Sequence, residues 1–267
     1  MSEAKTGKSR AKPAASGGRK QVAGKARPVR RKPSAGKAKG AEKHPSLWRR
    51  VGRILLIMLG ILVAIPLVLV PVYSVVNPVG TYMAYTRVVD GPIERQWVPF
   101  DAIAKVAVVS VMVSEDGQYC AHHGVDWGAI SEVVDSPGGP SRGASTIPMQ
   151  TVRNLFLWLS RSYVRKGIEI PLAIYADTVW SKRRMMEIYL NIAQWGPDIF
   201  GIEAAARHYF GRSAADLGAR QAALLAASLP NPLARDPARP SSLMKSLART
   251  IEARARKAGP YIVCLYP

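Results

Sequence analysis

The chain begins with a long polar segment, which is followed by a strongly apolar one. Residues 1–47 contain almost no large apolar side chain, whereas Ile54–Val76 run for 23 residues without a charge. As an α-helix the second segment would extend roughly 34 Å, which exceeds a bilayer core of about 30 Å. Pro66 and Pro71 could kink this helix, and membrane-spanning helices tolerate such prolines. The pattern therefore predicts a polar tail and then one transmembrane helix.

Beyond the apolar segment the pattern is mostly helical. Residues 77–100 contain several prolines and glycines and are predicted to be irregular. Ile103–Ser114 is apolar and β-branched, so its periodicity leaves both a helix and a buried strand open. A short helix is predicted before Asp135, and further helices near 146–159, 163–180, 182–194, 201–209, 219–228 and 241–257, with Ser181 as an N-cap. The sequence predicts one mostly α-helical domain of about 170 residues, which is large enough for a proper core.

Positive charge is concentrated in the N-terminal tail. Residues 1–53 carry 17 of the 38 Lys and Arg residues and two acidic residues, so they contribute +15 of the formal net charge of +20. A compact basic nucleic-acid-binding domain is therefore not predicted, and no nucleic acid is expected as a partner, although the tail itself could touch one. The tail is interpreted as disordered, and it is either simply solvated or a polybasic arm on anionic lipid headgroups.

Basic residues also predict how the chain is oriented in the membrane. Arg49, Arg50 and Arg53 directly precede the apolar segment, and the next basic residue is Arg87. The positive-inside rule then places the N-terminus in the cytoplasm and residues 77–267 outside. A cleaved signal peptide is the alternative, but a leader of about 50 residues is too long for one.

Cysteine usage and the absence of two sequence motifs exclude several kinds of site. Cys120 and Cys264 are the two cysteines, and they cannot build a disulfide framework or a zinc site. They could form one bridge with each other. The sequence also contains no phosphate-binding loop and no nucleophile elbow.

A pair of adjacent carboxylates, Glu115 and Asp116, follows the apolar stretch that ends at Ser114. A carboxylate at the end of an apolar wall is a candidate general base, because desolvation raises its pKa toward neutrality. The alternative is an acidic helix C-terminus followed by a turn. The pattern alone leaves both interpretations open.

Two polar clusters follow. Ser145 and Thr146 could cap a helix on which Gln150, Arg153 and Asn154 lie near one another. This arrangement is either a capped helix with a polar face or a set of donors for sugar hydroxyls or phosphate.

The second cluster is Arg165, Lys166 and Glu169. Arg165 and Glu169 are four residues apart, which fits an ion pair on one helix face. Two cations beside one carboxylate could instead bind a diphosphate, with or without a divalent ion. Glu187 and Asn191 lie one turn apart on the next predicted helix, most of which is interpreted as core packing.

Taken together and in this order, the segments resemble the peptidoglycan glycosyltransferases of family 51, and especially their monofunctional biosynthetic transglycosylases. The resemblance runs from about Val108 to Pro240. The family's first motif, E-D-x-x-F-x-x-H-x-G, is matched from Glu115 to Gly124 with Tyr for Phe. Its second, G-x-S-T-I-x-Q-Q-x-x-K-N-L, is matched with Met149 for the first Gln and Arg153 for Lys.

The remaining motifs match with two changes of carboxylate. The third motif begins R-K-x-x-E, and Asp177 stands where its final Glu is expected. The fourth is similar at Lys182, Glu187, Tyr189 and Asn191, and the fifth carries Gln221 in place of Glu. We interpret the changes at Asp177 and Gln221 as structural.

The resemblance implies a lysozyme-like, mostly helical glycosyltransferase domain that follows one transmembrane helix. The predicted segments are a disordered basic cytoplasmic tail (1–50), a transmembrane anchor (51–76), a juxtamembrane linker (77–100), the glycosyltransferase domain (101–240) and a C-terminal basic helix and tail (241–267). The implied location is the bacterial inner membrane, with the catalytic domain on its outer, periplasmic side.

The implied activity is polymerisation of lipid II into glycan strands, by inverting transfer from a polyprenyl-diphosphate-linked donor to the 4-hydroxyl of an acceptor lipid II. Glu115 would be the catalytic base and Glu169 a second catalytic carboxylate that could also hold Mg²⁺ or another divalent cation. No organic cofactor is implied. Substrate or its diphosphate would be bound by Asp116, Ser145, Thr146, Gln150, Arg153, Asn154, Arg165, Lys166, Glu187 and Asn191.

The implied partners are lipid II, the growing glycan chain, the inner membrane, and other cell-wall synthesis or division proteins. Two alternatives remain open. One is a membrane-bound muramidase or lytic transglycosylase of the same fold, which would need a proton donor at the glycosidic oxygen. The other is an inactive member of the family that acts as a membrane scaffold.

Overall fold

The computed structural model describes residues 47–135, 144–158, 160 and 162–267. Most of the predicted tail, up to residue 46, and residues 136–143 lie outside these residues. Within them the chain is mostly helical, which confirms the predicted fold class. One short parallel pair joins strand β1 (Glu94–Arg95) to strand β2 (Ile199–Phe200).

The described helices follow the predicted order. They are α1 (Leu47–Val72), α2 (Thr81–Val89), α3 (Lys105–Glu115), α4 (Trp127–Asp135), α5 (Ile147–Phe156), α6 (Tyr163–Val179), α7 (Lys182–Ile192), α8 (Ile202–Phe210), α9 (Ala219–Ser228) and α10 (Ser242–Arg256). Short 3₁₀ turns occupy Phe100–Ala102, Ala214–Asp216 and Gly259–Tyr261.

Helix α1 is the one helix in the described part of the chain that is long and apolar enough to cross a membrane. It contains both Pro66 and Pro71 and ends at Val72, four residues before the predicted end. The Arg184 side chain explains this end, because it donates to the carbonyls of Tyr73 (3.0 Å) and Val76 (2.8 Å). A side chain that satisfies carbonyls beyond a helix end stabilises the turn there.

The C-terminal turns of α1 are attached to the helical domain. Trp180 Nε1 donates to the Val70 carbonyl at 2.7 Å, and the Tyr175 hydroxyl donates to the Leu67 carbonyl at 2.9 Å. Both donors belong to α6 or to its C-terminal cap. The end of the apolar helix is therefore fixed against α6.

The prediction that 77–100 is irregular was wrong for α2. This nine-residue helix buries Met83 and Thr86, and the Thr81 hydroxyl donates to the Leu157 carbonyl at 3.0 Å. So short a helix depends on tertiary packing rather than on propensity. Gly80 permits the approach, because a Cβ at this position would lie 2.6 Å from the Asn154 carbonyl oxygen.

The core is centred on α3, the segment whose sequence left helix and strand open. Its residues 107–112 are all buried, because α3 packs against both α9 and α10. The facing side of α9 contains the buried small residues Ala222, Ala223, Ala226 and Ala227, which let the two helices approach closely. On the other side of the domain α5 packs against α6 and α7.

The C-terminal segment is attached to the loop that follows α3. Cys120 and Cys264 form a disulfide across a sequence separation of 144 residues. This is the one bridge that the sequence allowed. The predicted basic helix is confirmed as α10, and it packs on α3 and α9.

Gly124 is required by the fold, and we predict that its replacement is costly. Its φ is +76°, and a Cβ there would lie 2.7 Å from the Ala173 carbonyl oxygen of α6. Gly124→Ala should therefore lower the free energy of unfolding by about 2 kcal/mol or more. Thermal melting in detergent measures this change.

The matched control is Gly117→Ala in the same loop, because nothing lies within 4 Å of a Cβ at Gly117. Equal melting temperatures for the two variants would show that the close approach of this loop to α6 is wrong.

Candidate active site

The site is built where the C-terminus of α3 meets the N-terminus of α5. The Asp116 carboxylate accepts hydrogen bonds from the Ile147 backbone N–H (2.9 Å) and lies 2.9 Å from His122 Nε2. The Thr146 hydroxyl accepts from the Met149 N–H as the N-cap of α5 and donates to the Gly124 carbonyl (2.6 Å). Asp116 and Thr146 were predicted to bind substrate, and both line the cleft described below, but their side chains are buried and already join these two helices.

Glu115, the last residue of α3, is held by a chain of hydrogen bonds. Its Oε2 accepts from Gln150 Nε2 at 3.1 Å, and Gln150 Oε1 accepts from the Tyr189 hydroxyl at 3.2 Å. The Ser114 hydroxyl lies 3.4 Å from Glu115 Oε1. Because the buried tyrosine fixes the Gln150 amide, its N–H₂ group is directed at the carboxylate.

Burial raises the pKa of Glu115, and this effect outweighs the hydrogen bonds from Gln150 and Ser114 and the charge of Arg153, which lower it. A carboxyl group with a raised pKa binds a proton more strongly than an exposed one. It is therefore better suited to remove a proton from a hydroxyl group near neutral pH.

Glu115 faces a cleft of about 1140 Å³. Gln150, Arg153 and Ser145 line the same cleft. Glu115, the predicted base, and Arg153, one of the predicted cations, therefore line the same cleft. Its lining also includes Leu229 and Pro230 after α9 and several residues from the end of α10 onward.

A cluster of cations adjoins this cleft through Ser145. Lys166 Nζ donates to Ser145 Oγ at 2.9 Å and lies 3.4 Å from Glu169 Oε1. Arg165 Nη1 donates to Glu169 Oε2 at 2.7 Å. Burial lowers the pKa of Lys166 and of Arg153, while the charge of Glu169 raises both. The three cations are thus arranged around one carboxylate beside the cleft.

The position of Glu169 differs from what the sequence suggested. Its side chain is fully buried, and its two oxygens contact Arg165 and Lys166. It does not line the cleft. Its geometry is that of a counter-ion that positions cations, and a catalytic contact with substrate is not supported.

The same contacts do not fit a divalent cation at Glu169. Two positive side chains already occupy the carboxylate, and no group of three or more His, Cys, Asp or Glu side chains with metal-binding spacing occurs in the described part of the chain. Ligand sets for Mg²⁺ are instead rich in oxygen donors. The magnesium site therefore stays a prediction that this donor set does not favour, and no step is assigned to a metal.

Besides Arg165, Lys166 and Glu169, three predicted site residues lie outside the cleft lining. Glu187 accepts from the Phe100 N–H at 3.1 Å and pairs with Arg184. Asn191 is buried and exchanges hydrogen bonds with the backbone of Val98. The backbone carbonyl of Asn154 accepts a hydrogen bond from the Thr81 hydroxyl. The geometry gives these residues structural contacts, although their sequence spacing resembled that of ligand-binding groups.

The residues that depart from the family motifs have clear contacts. Asp177 forms an ion pair with Lys182 (2.8 Å), and Gln221 Oε1 accepts from the Gly218 N–H (3.0 Å) at the start of α9. These contacts fit the structural interpretation of both changes. Met149 is buried, and its sulfur lies 3.9 Å from Lys166 Nζ, which makes it at most a weak acceptor.

Sequence reasoning missed part of the site. Tyr189 was matched to a motif but given no role, and its hydroxyl is now seen to orient Gln150. Arg254, Lys257 and Tyr261 line the cleft from the C-terminal segment. No motif marks these three residues, because they reach the cleft only through the packing of α10 on α3.

A mostly helical domain with a partly buried carboxylate in a cleft, and with cations in and beside that cleft, has the features expected of a transglycosylase. The sequence model of the family described as Transglycosylase matches residues 83–256, and the chain belongs to this family. The lysozyme-like fold implied by the resemblance is confirmed with it.

Curated relatives named "Biosynthetic peptidoglycan transglycosylase" are similar over most of their length. The protein of Brucella suis biovar 1 (strain 1330) is 57% identical over 212 residues, which cover 78% of this chain and 95% of the relative. That of Rhizobium meliloti (strain 1021) is 56% identical over 224 residues, covering 82% and 94%. That of Agrobacterium fabrum (strain C58 / ATCC 33970) is 54% identical over 217 residues, covering 80% and 96%.

The charge of the partly buried Glu115 should cost stability. Because folding raises the pKa of this acid, the ionised form is disfavoured in the folded state, and stability is lost as the pH rises from the unfolded pKa of about 4.3. Glu115→Gln keeps an acceptor for Gln150 and removes the charge. We predict that it melts at a higher temperature than the wild type at pH 7.5, and that the difference disappears when the pH falls to about 4.

Thermal melting at the two pH values tests this. A variant that melts below the wild type at pH 7.5 would show that the carboxylate is stabilised, not strained, by its surroundings.

Proposed function

We propose that this protein is a peptidoglycan glycosyltransferase that polymerises lipid II into glycan strands for cell wall biosynthesis. Family membership and the names of the relatives support this activity. The observation that carries the proposal is the cleft shared by Glu115 and Arg153, which is continuous with Lys166 through Ser145. A base for the acceptor and cations for the leaving group are thus held side by side.

The proposed reaction needs one base. Glu115 removes the proton from the 4-hydroxyl of the acceptor lipid II as that oxygen attacks the anomeric carbon of the donor. The bond from this carbon to the diphosphate oxygen breaks on the opposite face, so the α-linkage becomes a β-linkage. The lipid diphosphate leaves as an anion and needs no proton.

Cations stabilise the charge that develops on the departing diphosphate. Arg153 lines the cleft, and Lys166 lies beside it. Partly buried, pre-positioned positive groups are effective because they need little reorganisation during the reaction. Glu169 contributes by holding Lys166 in place, and Arg165 in turn holds Glu169.

Tyr189 and Gln150 act by positioning the base. The Gln150 N–H₂ group orients Glu115, and the Tyr189 hydroxyl holds the Gln150 amide in one of its two flipped orientations. Ser145 orients the Lys166 ammonium group toward the cleft.

The proposed location is the outer face of the bacterial inner membrane, with a cytoplasmic N-terminus and α1 as a single-pass anchor. A disulfide between Cys120 and Cys264 fits an oxidising compartment. The exposed apolar side chains of Tyr163, Val164 and Ile168 flank the cations on α6, where they suit contact with lipid. Other cell-wall synthesis or division proteins remain predicted partners.

A lipid II polymerisation assay tests the proposal. The full chain in detergent or vesicles should convert lipid II into polymer that lysozyme digests. Glu115→Gln should slow this reaction by about 10²–10⁴-fold, the usual contribution of a general base. Glu94→Gln, an exposed carboxylate outside the cleft, should keep wild-type activity.

The other activities give different products in the same assay. Soluble fragments released from finished glycan, without polymer from lipid II, would indicate a lytic enzyme. No product from either substrate would indicate a scaffold. Full activity of Glu115→Gln would exclude Glu115 as the base.

The pH dependence of kcat/KM should depend on the hydrogen bonds that link Tyr189, Gln150 and Glu115. Activity requires ionised Glu115, so kcat/KM should fall as the pH decreases through its raised pKa. Gln150→Leu removes a hydrogen bond that lowers this pKa, so the acidic limb should move to higher pH. Tyr189→Phe should move it in the same direction by a smaller amount.

Tyr209→Phe is the matched control, because its hydroxyl donates to the Trp195 carbonyl away from the cleft. An acidic limb that stays in place for both Gln150→Leu and Tyr189→Phe would contradict the positioning role, even if the rates fall.

A further inference from the structure

The C-terminal end of α10 and the following 3₁₀ turn form a wall of the cleft that the proposed reaction does not use. Arg254, Lys257 and Tyr261 line this wall. The match to the family ends at residue 256, so Lys257 and Tyr261 lie beyond it. We call Arg254, Lys257 and Tyr261 the C-terminal wall.

Positive charge on the C-terminal wall is available for a ligand. Arg254 and Lys257 are exposed, and neither forms an ion pair with a residue that the structure describes. Their neighbour Arg256, by contrast, pairs with Glu252. The same two cations also line an adjoining depression of about 430 Å³ on α10, so the positive surface continues out of the cleft.

Among the residues that the structure describes, the charges lining the cleft are distributed unevenly. Asp126 lines it near α4 and accepts a hydrogen bond from the Ala129 N–H. The α10 side contributes only Arg254 and Lys257 to the described charged lining. An anion in this part of the cleft is therefore favoured beside α10.

The C-terminal wall is rigidly attached. The Cys120–Cys264 disulfide joins the C-terminal segment to the loop just after Glu115. Ala258, Ile262 and Leu265 are buried, and the Arg183 guanidinium donates to the Leu265 carbonyl at 2.9 Å. A wall fixed in this way binds without a large ordering cost.

Helix packing separates this wall from the membrane side of the site. Lys166 belongs to α6, which packs against α5 and α7 and contacts the end of α1. Arg254 belongs to α10, which packs against α3 and α9. The lipid diphosphate and the headgroups belong at the α1 and α6 side. An anion near α10 must then be carried by the sugar chain itself.

We propose that the C-terminal wall binds the carboxylates of the peptide substituents on the sugar chain. This inference rests on the proposed function. In lipid II and its polymer, these peptides are the anionic groups that the sugars carry away from the lipid. Arg254 and Lys257 pair with the carboxylates, and the exposed ring of Tyr261 packs against the apolar face of a sugar.

The test compares two substrates in zwitterionic vesicles with the full-length protein. One is lipid II with free peptide carboxylates, and the other is lipid II with those carboxylates amidated. Arg254→Gln/Lys257→Gln should raise KM for the free-acid substrate roughly three- to tenfold, because two exposed charge pairs are lost. The same double variant should match the wild type on the amidated substrate. Arg256→Gln removes the charge directly before Lys257, and this variant should match the wild type on both substrates.

Two results would overturn the inference. One is an equal effect of the double variant on both substrates. The other is an effect that occurs only in anionic vesicles, which would assign the wall to lipid headgroups.

Failure of the proposed function has a separate signature, because the wild type would then make polymer from neither substrate. Binding of a soluble disaccharide–peptide to Glu115→Gln protein tests the wall without catalysis. Tighter binding of the free-acid form than of the amidated form, lost in the Arg254→Gln/Lys257→Gln background, supports the inference. Equal binding of the two forms contradicts it.

Discussion

The site depends on the contact by which Asp116 joins the end of α3 to the beginning of α5. One carboxylate accepts from the first N–H of α5 and holds His122 at 2.9 Å. A negative group at a helix N-terminus is favoured by the unpaired N–H groups and by the helix dipole. The contact fixes the distance between Glu115, at the end of one helix, and Gln150, one turn into the other. A base whose surroundings are set in this way keeps both its orientation and its raised pKa.

Burial has opposite consequences for the acid and for the cations beside it. It raises the pKa of Glu115 and lowers that of Arg153 and Lys166. Glu169 offsets the second effect, because its buried charge favours the protonated forms of both cations. The resulting site combines a carboxylate that binds protons readily with cations that remain charged. These are the two properties that a hydroxyl acceptor and a diphosphate leaving group require.

Sequence patterns predicted the fold class and most helices because the domain is built from amphipathic segments with clear caps. Ser181, for example, accepts from the Arg184 N–H as the predicted N-cap of α7. Helix α2 was missed because its stability comes from contacts with α5, which a local pattern does not contain. The end of α1 was misplaced for a similar reason, since Arg184 is more than 100 residues away. Apolar composition alone could not indicate where that helix stops.

The same distinction applies to the site. The order of the motifs identified Glu115 and the cation cluster, whereas it could not separate residues that touch the cleft from residues that support it. Glu187 and Asn191 have ligand-like spacing but bind the backbone near residues 98–100. Tyr261 belongs to none of the motifs, and it reaches the cleft because α10 packs on α3. Spacing along a helix reports which side chains share a face, and the tertiary structure decides what that face contacts.

The most direct test of the central claim is a crystal structure of the Glu115→Gln protein with a lipid-linked donor and an acceptor sugar bound. We expect the diphosphate within hydrogen-bond distance of Arg153 and Lys166, and the acceptor 4-hydroxyl within hydrogen-bond distance of the residue 115 side chain. A diphosphate bound elsewhere, or an acceptor hydroxyl that contacts a different carboxylate, would contradict it.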